Sequence, residues 1–61
     1  MTLKERDACR KALVQYYVKL ITAGATKIRA RQLTAKKAHT LGPDCAKMVS
    51  GVLAYLEGEE E

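Results

Sequence analysis

The chain has 61 residues, 48% of them apolar and 30% charged, with a formal net charge of +4 at neutral pH. A chain this short makes one domain at most and buries only about 60% of the surface its unfolded form exposes, which excludes a large self-sufficient core. Its single proline and four glycines argue against disorder throughout, and no stretch approaches the roughly 18 uninterrupted apolar residues of a membrane span.

The opening Met1-Thr2-Leu3-Lys4-Glu5-Arg6-Asp7 alternates charges where a secretory signal would need an apolar segment, so an intracellular, cytoplasmic location is expected. Thr2-Leu3-Lys4-Glu5 also has the Thr-x-x-Glu spacing of a capping box and predicts a helix start near residue 3. Apolar side chains then recur at Cys9, Ala12, Leu13, Tyr16, Tyr17, Leu20 and Ile21, one stripe of a helix that Gly24 ends. Such a helix over 3–23 is about 30 Å long, long for so small a domain. Val14, Tyr17, Val18 and Ile21 give it a second apolar edge, read as the interface of a homodimer.

Ala25 to Arg29 alternates in character and reads as a short extended linker. Ala30, Leu33, Thr34, Lys37, Ala38 and Leu41 then repeat at helical spacing and predict a second helix over 30–41. Gly42-Pro43-Asp44 breaks it and starts a third, since proline fits the first helical turn and an aspartate there meets the positive end of the dipole. The inner face of the third helix is Cys45, Met48, Val49, Val52, Leu53 and Leu56, with Tyr55 at its rim. Gly51 inside it costs about 1 kcal/mol against alanine and implies a close helix crossing. Residues 1–58 thus form a single domain, and Glu59-Glu60-Glu61 an acidic tail.

Charge is unevenly placed along the chain. Residues 1–40 carry ten basic side chains against Glu5 and Asp7, a net +8, whereas residues 41–61 carry Lys47 against Asp44, Glu57 and Glu59–Glu61, a net −4. A basic body suits a polyanion, because each phosphate neutralised by lysine or arginine releases condensed counterions. Lys27, Arg29, Arg31, Lys36 and Lys37 are the densest basic run. Catalytic chemistry finds no support. The lone His39 has no carboxylate near it in sequence to orient it, and there is no phosphate-cradling glycine loop. Cys9, Cys45 and His39 fall short of a zinc ligand set, so no metal or other cofactor is expected. In an intracellular chain the two cysteines are expected to stay reduced, as small buried hydrophobes.

Ile28-Arg29-Ala30-Arg31-Gln32-Leu33 resembles the start of the second helix in winged helix-turn-helix regulators, and Leu41-Gly42-Pro43 resembles the turn that follows it. Met48, Val52, Leu53, Tyr55 and Leu56 resemble the inner face of a recognition helix. The motif covers about 30 residues of a helix-turn-helix layout. The stretch between Ala30 and Gly42 is about one helical turn longer than usual in that family, and no residues remain for a wing. The resemblance implies an all-α, three-helix, dimeric, helix-turn-helix-like protein that binds double-stranded DNA as a regulator or architectural protein. Lys27, Arg29, Arg31, Lys36 and Lys37 would contact phosphates, and Lys47 and Ser50 would face the groove. No membrane or small-molecule substrate is expected. The alternative from another class is a small helical module that binds a partner protein and no nucleic acid.

Overall fold

The computed structural model describes residues 2–58, which are all-helical with no strand among them: α1 (Leu3–Thr22), α2 (Lys27–Leu41) and α3 (Pro43–Leu56). At the start of α1 the Thr2 amide donates to Glu5 Oε1 at 2.9 Å and the Glu5 amide donates to Thr2 Oγ1 at 3.1 Å, a complete capping box. Its far end closes in a Schellman motif. The Gly24 amide donates to the Ile21 carbonyl and the Ala25 amide to the Leu20 carbonyl, both at 3.0 Å, with Gly24 at φ 102° where a side chain would be strained.

The predicted extended linker over 25–29 is not formed. Thr26 instead caps α2, its Oγ1 accepting from the Arg29 amide at 3.1 Å, so the helix begins at Lys27 and Ile28 lies in its first turn with 70% of its surface exposed. Gly42, at φ 138°, is the only residue between α2 and α3, and Pro43 opens α3 with no amide hydrogen to leave unpaired.

Each helix turns one stripe inward. Leu13 and Tyr17 of α1 meet Ala30, Thr34 and Ala38 of α2 and Val49, Val52 and Leu53 of α3, with Val14, Leu20, Ala35 and Leu56 partly buried around them. Residues 30, 34 and 38 stack on one face because they are four apart, and their small side chains let neighbouring helices approach closely. Tyr17 is only 5% exposed within the single chain, so it belongs to this core and not to a dimer interface. Val18 and Ile21 remain 49% and 38% exposed.

Thr34 is fully buried, and its Oγ1 has no hydrogen-bond partner. A buried hydroxyl without a partner costs about 1–3 kcal/mol, and valine has nearly the same shape. Thr34→Val is therefore expected to raise stability by about 1 kcal/mol, read as a higher urea midpoint at unchanged slope.

The cysteines do not stay reduced. Cys9, early in α1, and Cys45, in the first turn of α3, are joined as a disulfide with a Cα–Cα distance of 5.8 Å and leave no free cysteine. That separation is within the usual range for a bridge. The bond ties α1 to α3 beside the Gly42 end of the α2–α3 pair, and with it the expectation that both cysteines act as buried thiols is withdrawn. No helix among the described residues is long and apolar enough to cross a membrane.

Candidate nucleic-acid interface

The local electrostatics of the three helix starts differ. The first turn of α1 carries Glu5 and that of α3 carries Asp44, each a negative charge at the positive end of a helix dipole. The first turn of α2 has no acidic residue; it holds Lys27 and Arg29, with Arg31 half a turn further on. Thr26-Lys27-Ile28-Arg29 has the same cap spacing as Thr2-Leu3-Lys4-Glu5, with arginine where the capping-box glutamate stands. Positive side chains there oppose the dipole, so this end of α2 concentrates positive potential from both sources.

The described carboxylates do little to offset it. Glu5 is held in its cap, and Asp7 accepts from Arg10 Nη2 at 2.6 Å and lies 3.3 Å from Lys11 Nζ. The Arg10 guanidinium, with Lys11, holds the Asp7 carboxyl below the usual carboxylate range, so it stays ionised and engaged on α1. Glu57, with a side chain only 10% exposed, lies 4.0 Å from Arg31 and is the acid paired with a cation near the start of α2 among the described residues. Among the described residues Lys27, Arg29, Lys36, Lys37 and Lys47 have no carboxylate partner within 4.0 Å.

The basic residues expected to act together are divided by the helix. Arg29 and Lys36, seven positions apart, share the outward row of α2 with Gln32 and His39, all exposed. Arg31 turns toward α3 and Glu57, and Lys27, Ile28, Arg31 and Glu57 line a shallow depression. Lys37 turns toward α1, its Nζ 5.7 Å from the centre of the Tyr16 ring, a cation–π contact that places Tyr16 at the surface edge of the core. Lys47 and Ser50 are exposed on α3; Lys47 lies toward the Gly42 end, remote from Lys27 and Arg29.

The Arg31–Glu57 pair also reports on how α2 and α3 are arranged. Diverging at a right angle from Gly42, these two positions would be about 25 Å or more apart at about 1.5 Å per residue, beyond the reach of the side chains. The 4.0 Å separation shows that α3 folds back along α2 as a closed hairpin. The exposed residues of α3 are Pro43, Asp44, Lys47, Ser50, Gly51 and Tyr55, with Ala46 and Ala54 half-buried among them, so Lys47 is the one exposed cation of this helix.

The sequence gives no sign of the concave face between α1 and α3, an open groove of about 670 Å³ with Val14, Met48 and Val52 in its floor and Arg6, Arg10 and Lys47 around it. Gly51, singled out in the sequence, lies on that groove: a Cβ there meets nothing within 4 Å, so no helix of the same chain requires the glycine. The expected close helix crossing is not made within the chain. No three histidine, cysteine or acidic side chains among the described residues come together as metal ligands. No family model matches the chain, and no curated protein or solved structure matches it significantly.

Proposed function

We propose that the chain binds double-stranded DNA through phosphate contacts centred on the start and outward face of α2. The observation that carries this reading is the cation pair Lys27 and Arg29 at the positive end of a helix, where the other two helices place an acid. Such an arrangement disfavours the isolated fold and favours a bound anion. Arg29 and Lys36 lie on one row about 10 Å apart along the helix axis, a separation their long side chains can bridge to separate phosphates of one strand. Lys27, Arg31 and Lys37 flank the row. Contacts of this kind position a duplex without reading its sequence, and the closed α2–α3 hairpin, unlike the steep crossing of a helix-turn-helix, leaves the resemblance in sequence out of the reading.

The test is fluorescence anisotropy of a labelled random-sequence duplex titrated with protein over a range of salt. A log–log slope of about −3 to −5 is expected for a handful of phosphates, and Arg29→Ala with Lys36→Ala should flatten it by about two units. No binding at low salt, or binding that this pair of substitutions leaves unchanged, removes the proposal.

A further inference from the structure

The two sulfurs of the Cys9–Cys45 bridge meet different surroundings. Cys9 is half-buried on α1, whereas Cys45 is only 3% exposed in the first turn of α3. Both border a depression of about 420 Å³ that Glu5, Leu41 and Asp44 also line, so solvent reaches the bridge in the folded chain. The helix starts differ as well. Threonine side chains accept an amide hydrogen at the starts of α1 and α2, but Gly42 offers no such acceptor to α3. Pro43 has no amide hydrogen, and the amides of Asp44 and Cys45 have no backbone or side-chain acceptor among the described residues. A negative charge on the Cys45 sulfur therefore lies at a positive helix end that only the Asp44 carboxylate of the same turn offsets. Cys9, nearly two turns into α1, has no helix start of its own beside it.

We infer that the bridge is a thiol-operated switch of the fold, opened in the native chain by attack of an external thiolate on Cys9 with Cys45 as the leaving group. Exposure selects the sulfur attacked, and the better-stabilised thiolate selects the one that leaves. The incoming sulfur bonds to Cys9 Sγ while the Cys9–Cys45 bond breaks and its electron pair departs on Cys45. A second external thiol then displaces the first from Cys9. The external thiols end as a disulfide, and their two protons and two electrons end on the protein as the thiols of Cys9 and Cys45. The consequence for the fold follows from where the core lies. Every side chain that α1 places in or against the core, Leu13, Val14, Tyr17 and Leu20, comes after Cys9. The start of α1 is thus tied to the start of α3 by the bridge, and a chain this small has little else to replace it. The cation row of α2 exists only while α2 is a helix, so the oxidised chain is the form that presents it.

The test treats the full chain with 2-mercaptoethanol, a neutral thiol, and with the corresponding disulfide. Helical circular dichroism and free-thiol content should follow one curve as the ratio of thiol to disulfide rises, and retrace it as the ratio falls. Early samples quenched in acid and mapped by peptide mass spectrometry should carry the mixed disulfide on Cys9 about tenfold more than on Cys45. The rate should be proportional to thiol and unchanged by urea well below the unfolding midpoint, because attack on the native chain needs no prior opening. Asp44→Asn removes the charge that opposes the leaving thiolate and should speed reduction several-fold. Equal labelling of the two cysteines, or a rate that climbs with urea, assigns the attack to the unfolded chain and overturns the inference. A rate that Asp44→Asn leaves unchanged does so as well, and so does helicity that survives full reduction. No nucleic acid is present in these measurements, so their outcome is separate from that of the duplex titration.

Discussion

Reducing the Cys9–Cys45 disulfide is expected to unfold most of the chain at about 37 °C, because a small domain without its native bridge often falls below the stability it needs. The bridge closes a loop between residues 36 apart in sequence. In the chain-entropy account a loop of that length restrains the unfolded state by about 3–4 kcal/mol. A single core in a chain of this size supplies only about 3–5 kcal/mol. The large side chains of that core are few, namely Leu13, Tyr17, Val49, Val52 and Leu53. The remaining buried positions on α2 are Ala30, Thr34 and Ala38, which allow close packing but bury little apolar area each. Leu3, one and a half turns before the bridge, is 80% exposed and adds little to holding the start of α1 in place. Circular dichroism with and without a thiol reductant reads the outcome directly, with a thiol assay finding no free thiol before reduction. A Cys9→Ala, Cys45→Ala chain should show the same loss. Helical signal and melting temperature that are unchanged after full reduction would show that the core alone suffices.

Much of the fold was legible because short-range rules wrote it. The capping box at Thr2, the positive φ at Gly24 and the Gly42-Pro43 break each follow from a few adjacent residues, and the structure has all of them. The start of α2 was misplaced by three residues because Thr26 was not read as a cap. The usual companion, a glutamate three positions on, is Arg29 here, and that substitution both hides the helix start and marks the functional candidate. The disulfide was out of reach for a different reason. Two cysteines 36 residues apart carry no sign of their separation in space, which depends on how α1 packs on α3. The groove was missed because it belongs to two helices at once, so no single helical wheel displays Val14 beside Met48 and Val52. Tyr17 fell on a stripe wide enough to serve core or partner, and only its burial decides for the core.

Replacing Lys27 and Arg29 together by glutamate is expected to move stability and DNA affinity in opposite directions. On the stability side, each substitution exchanges a charge that opposes the α2 dipole for one that favours it, a change of about 0.3–1 kcal/mol per group at each sign. Arg29→Glu also completes a capping box with Thr26, whose Oγ1 already accepts from the backbone amide of residue 29. The variant should therefore be more stable by about 1–2 kcal/mol, and at about 4–8 °C per kcal/mol for a domain this small its melting temperature should rise visibly. On the binding side, two phosphate-contacting cations become two anions beside the same phosphates. The salt slope should fall by about two units, and affinity at low salt should drop by at least an order of magnitude. A merely solvated charged surface predicts the first change without the second. If thermal melts rise while duplex anisotropy is unaffected, the start of α2 is a tolerated local defect and the DNA reading loses its main support. If both change as expected, the local disadvantage in the fold is accounted for by the anion it is built to meet, which is the trade that functional sites in small domains commonly show.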